Sequence, residues 1–264
     1  MGNEYSWNAD DYAKNSPFQK KWARELIKKL SLKGNEWILD IGCGDGKVTF
    51  EIAQHVPDGC AVGIDSSEEM VKLASKMFPP SKYPNLSFKL LDVREMDFFE
   101  EFDVIFSNAA LHWVIDHKPV LRRMFRALKP GGRAVVQMGG KGNAAGVVEV
   151  LNKIMTENPW KEYFLDFSFP YGFYSLERYK PWLIDAGFKV QYIELKPKMM
   201  IYESVEKFKG WIRTTWLPYI NRVPEKLRNS FIDLVVERYL DKHPIDGNGR
   251  IKVSMQRLEF VAVR

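Results

Sequence analysis

A chain of 264 residues with 45% hydrophobic and 14% aromatic side chains has enough apolar surface for a sizeable core, which excludes a disordered chain and fits one α/β domain carrying an insertion. Two cysteines, Cys43 and Cys60, with no CxxC spacing and no His/Cys cluster, exclude a disulfide scaffold and a zinc site. The net charge of +5 comes from lysines and arginines spread along the chain, a solvated surface for which no nucleic-acid partner is expected.

The opening MGNEYSWNADDYAKN has no basic stretch followed by an apolar one, and no window approaches the roughly 18 apolar residues of a membrane span. A cytoplasmic protein is therefore expected. A first helix carries Gln19. From Glu36 the apolar run WILDIG is a strand that breaks into the turn Gly42-Cys43-Gly44-Asp45-Gly46, and VTFEIAQHV then shows helical apolar spacing. The pattern repeats. CAVGID over Cys60–Asp65 is a strand, Ser66-Ser67 with Glu69 marks a helix start, Met70–Phe78 continues the helix, and Pro79-Pro80 ends it. Leu86–Leu91 and Phe102–Ser107 read as strands. Pro119–Leu128 reads as a helix stopped by Lys129-Pro130-Gly131-Gly132, and Arg133–Met138 as a fifth strand. This alternation implies a parallel, doubly wound sheet. Beyond Gly139 come a helix (Ala144–Glu157), an aromatic stretch (Trp160 to Tyr174), a helix (Leu176–Ala186) and a strand (Val190–Leu195). Two more helices (Val205–Trp216 and Glu225–Leu240) precede a last strand, Ile251–Val263. The late segments are expected to form a helical cap inserted around the last strands.

Glycines in the turn permit backbone angles and a close ligand approach that a Cβ would block, so a nucleoside can lie against bare main chain. The spacing Gly42-x-Gly44-x-Gly46 departs from the dinucleotide pattern G-x-G-x-x-G. Asp40, ahead of the turn, would repel a pyrophosphate and attract a ligand bearing a sulfonium and an ammonium. Cys43 reads as a small residue filling a tight space. Asp65, at the end of the second strand, can accept both hydroxyls of a ribose, with helix capping as the alternative. Asp92-Val93 offers a carboxylate for an adenine amino group and a small apolar flank for the ring, against an ordinary loop aspartate.

These residues resemble class I S-adenosylmethionine methyltransferases. The resemblance extends to SNAALHW at Ser107–Trp113 and LKPGGR at Leu128–Arg133, and covers about Trp7–Met138. It implies a Rossmann-like doubly wound, mostly parallel seven-stranded sheet with an inserted helical cap. The single domain would have a cofactor-binding half at 1–140, cap segments at 141–187 and 198–249, and the last two strands at 188–197 and 250–264. It also implies S-adenosylmethionine as cofactor, S-adenosylhomocysteine as product, and no metal. Around the cofactor it places Asp40, Gly42, Cys43 and Gly44, then Asp65, Ser66 and Met70, then Asp92, Val93, Asn108 and Ala109, with Trp7 and Tyr12 closing over it. The position of Ser107-Asn108-Ala109-Ala110 lacks the Asn/Asp-Pro-Pro-Tyr run of similar enzymes that methylate the amino groups of bases, which disfavours DNA methylation.

Trp7-Asn8, Tyr12, NAALHW, the Trp211–Leu217 segment and the ending HPIDGNGRIKVSMQRLEFVAVR are similar to trans-aconitate methyltransferases, nearly end to end. YAKNSPFQKKWARELI and Leu111-His112-Trp113 are similar to juvenile hormone acid methyltransferases. Both groups methylate carboxylates, so the resemblance implies a small acid as acceptor. A carboxylate is ionised near neutral pH, and catalysis would rest on proximity, alignment and removal of water rather than on a base. Gln19 would orient the carboxylate or the donor, Trp113 would wall the transfer site, and His112 is either a base or a scaffold residue. Arg257 would pair bidentately with an acid group, with Arg213 and Tyr219 as further substrate contacts. The aromatic stretch would either line an apolar pocket, favouring a long acid, or form its own small core. Carbon or nitrogen methylation with His112 as base is the alternative chemistry, and a non-catalytic cofactor- or RNA-binding module the alternative class.

Overall fold

Residues 17–264 are described by a computed structural model, with side chains from residue 21 onward. In chain order the elements are α1 (Pro17–Ile27), β1 (Trp37–Ile41), α2 (Lys47–Ala53), β2 (Cys60–Asp65), α3 (Glu68–Met77), β3 (Leu86–Leu90) and β4 (Phe102–Asn108). A 3-10 turn (Leu111–Trp113), α4 (His117–Ala127), β5 (Leu128–Gly139) and α5 (Ala145–Ile154) follow. After a second 3-10 turn (Trp160–Phe164) come α6 (Leu176–Asp185), β6 (Lys189–Tyr202), α7 (Val205–Thr215), α8 (Leu217–Ile220), α9 (Glu225–Lys242) and β7 (Ile251–Val263).

The strands form one seven-stranded sheet in the order β3-β2-β1-β4-β5-β7-β6. The first five strands pair in parallel, and β7 joins β5 antiparallel. Successive side chains of a strand point to opposite faces, and each face is buried under helices. Ile105, Val136, Leu258 and Phe260 pack with Leu121 and Met124 of α4. Val104, Phe106, Val135 and Val261 face Leu26 of α1 and Ile52 of α2. The doubly wound, mostly parallel fold expected from the sequence is thus the observed one. The LysProGlyGly stop is a bulge within β5: Leu128 pairs with Phe102 and Arg133 with Val104, leaving residues 129–132 looped out around Gly131 at φ 78°.

By its packing the described chain divides into two units. One comprises residues 17–141, 171–196 and 257–264, the other 142–170 and 197–256. The helix at 176–185, expected in the inserted segment, belongs to the sheet unit, because Tyr179 and Leu183 are wholly buried in the core beside Phe260. The aromatic stretch divides at the same boundary. Trp160 and Phe164 pack on Phe231, and Phe167 on Tyr219, inside the second unit. Tyr171, Phe173 and Tyr174 belong to the sheet unit. Among the described residues, no helix is long and apolar enough to cross a membrane.

Candidate active site

The C-terminal ends of β1, β2, β3 and β4 converge on the glycine turn. Gly42 and Cys43 N–H groups both donate to the Ile64 carbonyl, pinning the turn to β2. Gly42 has φ +75°, and a Cβ there would stand 2.1 Å from the Ala110 Cβ, so the turn touches the loop after β4. Gly44 differs. At φ +53° it has, among the described residues, nothing within 4 Å of the place a Cβ would occupy, so its main chain is left bare by them. Cys43 fills the notch left by Gly63, where a Cβ would lie 2.9 Å from the Cys43 sulfur. Burial first, then Asp65 and Asp40, push its thiol well above the ordinary range, which leaves it a protonated filler.

Two carboxylates flank the turn. Asp40 is 2% exposed, and its Oδ2 accepts from Thr49 Oγ1 at 2.6 Å. Burial pushes Asp40 up to about 7; the nearby Asp65 adds to this and the Thr49 hydrogen bond opposes it. Asp65 accepts from Gly44 N–H through Oδ2 and from Ser67 N–H through Oδ1, each at 2.9 Å. Burial also raises Asp65, against these hydrogen bonds. It does not cap α3; Ser67 does, its Oγ accepting from Met70 N–H. Each Asp65 oxygen keeps acceptor capacity. Leu91 N–H donates to the Asp65 carbonyl, which brings the loop after β3 alongside. There Asp92 accepts from the Arg94 backbone N–H and Nε. Burial alone would raise Asp92, but Arg94 holds it below the usual carboxylate range. Val93 is buried, Ser66 is exposed and Met70 is buried beneath.

At the end of β4, Ser107 Oγ donates to the Ile41 carbonyl, and Ala109, at φ 58°, donates its N–H to the Gln137 carbonyl. Asn108 is partly exposed between them. The following 3-10 turn buries His112, whose Nδ1 accepts from Gly139 N–H at 3.4 Å. The ring proton of the neutral form therefore resides on Nε2. Burial, Arg257 and His117, in that order, hold the imidazolium pKa well below the ordinary range. Phe173 stands 5.7 Å from the His112 ring, and Trp113 meets Tyr171 edge-on at 5.1 Å. Arg257, on β7, is 3% exposed, with its guanidinium 5.3 Å from the centre of the Trp22 ring. It is a buried arginine, not the surface residue its position opposite Leu258 would allow.

The family model of the methyltransferase domain matches residues 32–187, the segment that carries all of these strand ends except β7. The chain belongs to the class I S-adenosylmethionine-dependent methyltransferases. An uncharacterized methyltransferase of Schizosaccharomyces pombe is 36% identical over 261 residues, covering 97% of each chain. The trans-aconitate 2-methyltransferase of Variovorax paradoxus is 27% identical over 97% of each chain. Among solved structures, the YcgJ protein of Bacillus subtilis superposes with a TM-score of 0.66 at 20% identity, covering 93% of this chain and 98% of that one. A Haemonchus contortus phosphoethanolamine N-methyltransferase, in complex with S-adenosylhomocysteine, superposes with a TM-score of 0.63 at 20% identity. It covers 97% of this chain and 56% of that one.

The cofactor of this methyltransferase is S-adenosylmethionine, and the turn fits it. Gly44 presents main chain that none of the described residues covers, and two desolvated carboxylates beside it favour a cation. Among the described residues, no group of three or more His, Cys, Asp or Glu could hold a metal ion. Trp7 and Tyr12 lie outside the described residues, as does the side chain of Gln19, whose backbone is in α1. Arg213 and Tyr219 fall in the second unit. Arg213 is exposed, whereas Tyr219 is wholly buried, and its hydroxyl has no hydrogen-bond partner among the described residues. Sequence reasoning passed over Thr49, Gly63 and a buried pair, Gln137 and Glu259. The first two had a local signal, a hydroxyl and a glycine within one strand or helix turn of the motif residues.

Proposed function

We propose that this methyltransferase methylates a carboxylate oxygen of a small acid. The observation that carries this reading is Arg257, a guanidinium buried midway along β7, opposite Gly139 at the end of β5 and beside a neutral His112. A buried arginine at a ligand site is suited to pair bidentately with an anion. When bound, S-adenosylmethionine supplies a methyl group on a sulfonium centre, an electrophile that a carboxylate oxygen attacks without prior deprotonation, leaving S-adenosylhomocysteine. Asp65 would take the ribose hydroxyls, Asp92 and Val93 the adenine, and Asp40 with the Gly44 main chain the charged methionyl part. Asn108 and Ala109 would border it, and Trp7 and Tyr12 would close over it. Arg257 would hold the acceptor carboxylate, Gln19 and Trp113 would align it, and the rings around His112 would exclude water.

His112 fits a donor better than a base. Its Nδ1 already accepts from Gly139, its Nε2 bears the proton, and its low basicity keeps it neutral at pH 7. The relatives that act on trans-aconitate support an acid acceptor. Labelled methyl transfer to a panel of short, dicarboxylic and long-chain acids tests the reading. Label released as methanol by mild alkali is expected; alkali-stable label would overturn it in favour of carbon or nitrogen methylation.

A further inference from the structure

On β7, two residues beyond Arg257 on the same sheet face, Glu259 is 2% exposed and accepts four hydrogen bonds. Its Oε1 takes Lys29 Nζ of α1, Lys196 Nζ at 2.8 Å and the Tyr192 hydroxyl at 2.5 Å, both from β6. Its Oε2 takes Gln137 Nε2 at 2.7 Å. Burial works to raise this carboxyl, yet the four donors draw it down to about 2, so it is a fixed acceptor at any working pH.

A carboxylate can only accept, so it dictates which arm of the Gln137 amide faces it. The nitrogen turns to Glu259 and the carbonyl oxygen turns away. That oxygen is buried, Gln137 being 1% exposed, and it has no hydrogen-bond partner among the described residues. An oriented, buried carbonyl without a donor is costly in a folded chain, and a ligand donor relieves that cost. The place is the C-terminal end of β5. Gln137 pairs in register with Asn108 of β4 and with Glu259, while Arg257 pairs with Gly139. Gln137 and Arg257 are thus diagonal neighbours, roughly 7–8 Å apart in an antiparallel pair.

We propose that Gln137 is a specificity residue, whose carbonyl oxygen accepts a hydrogen bond from a hydroxyl or N–H group lying within a few bonds of the acceptor's carboxylate. The inference rests on the carboxylate reading above and narrows it. The favoured substrates are hydroxy acids or N-acyl amino acids, and an acid that presents only acceptors near that carbonyl is disfavoured.

Matched pairs of acids test this without any variant: 3-hydroxyoctanoate against octanoate for the hydroxyl, and N-acetylleucine against N-acetyl-N-methylleucine for the N–H. Ester formation is followed by alkali-released methanol. In one of the two pairs, kcat/KM for the donor-bearing acid is expected to exceed that of its twin by about tenfold, the scale of one good hydrogen bond. The difference should lie in KM. In Gln137→Met, checked for folding by its cofactor affinity, that preference should fall to within about twofold. Esters formed at equal kcat/KM in both pairs would overturn the role of Gln137 while leaving carboxylate methylation standing. No ester from any acid, with label in alkali-stable products, would overturn both.

Discussion

Gly42 and Gly44 share a left-handed backbone and differ in what surrounds them, so the same substitution separates folding from binding. An alanine in that conformation costs roughly 1–2 kcal/mol, partly offset by about 0.4–1 kcal/mol from the stiffer unfolded chain. Gly44→Ala, with nothing among the described residues within 4 Å of the new methyl, should therefore lose about 1 kcal/mol or less, a shift in Tm of a few degrees. Gly42→Ala adds a contact of 2.1 Å with the Ala110 Cβ, which only displacement of the loop after β4 can relieve. Overpacking of this kind adds about 1–3 kcal/mol, for a total of roughly 1–4 kcal/mol and a drop in Tm of roughly 2–16 °C. Thermal unfolding without cofactor reads these effects, and calorimetric titration with S-adenosylmethionine reads the converse. Gly44→Ala should weaken binding by about tenfold or more, because its methyl enters the space beside the exposed main chain. An unchanged Kd for Gly44→Ala, or a larger Tm loss for Gly44→Ala than for Gly42→Ala, would refute the reasoning.

Asp40, at about 7, makes cofactor affinity rise between about pH 6 and 8, since a cationic ligand draws on its ionised form. Calorimetry in buffers of different ionisation heat should show proton release that Asp40→Asn abolishes. The folded chain holds that proton more tightly than the unfolded one, so the contribution of Asp40 to stability without cofactor is greatest below its ordinary value of 3.8 and falls as pH rises toward 7. Glu259 behaves in the opposite sense. Its folded value of about 2 against an ordinary 4.5 gives stability present above 4.5 and lost as pH falls toward 2, and Glu259→Gln should flatten the acid limb of a pH-unfolding curve while losing about 1–3 kcal/mol at neutral pH. His112→Asn should lower kcat/KM without reshaping the pH–rate profile between pH 6 and 8; loss of a rising limb in the variant would instead identify His112 as a base.

The strand-turn-helix around Asp40 and Asp65 was legible because its logic is local: an apolar run, three glycines and an acid at each strand end lie within thirty residues. The rest depends on contacts the one-dimensional pattern cannot carry. Glu259 meets Gln137 across 122 residues and Lys29 across 230. The alternation Arg257-Leu258-Glu259-Phe260 reads as a half-exposed strand, whereas β7 runs between two neighbours with helices on both faces and all four residues are buried. Periodicity likewise places a helix over 176–186, but its amphipathic pattern is the same whichever core takes its apolar side. His112 was legible as a residue type; its tautomer became so only when Gly139, 27 residues away, was seen to donate to it.

The position of β7 between β5 and β6 also bears on biosynthesis. As the ribosome extends the chain, β5 is made well before β7, and β6 emerges with no strand beside it to join. Until residues 251–263 appear, both strands offer unpaired backbone to any extended peptide nearby. A nascent chain halted just short of β7 would therefore be a client for chaperones or a seed for aggregation, although its glycine turn and both acidic strand ends would already be made.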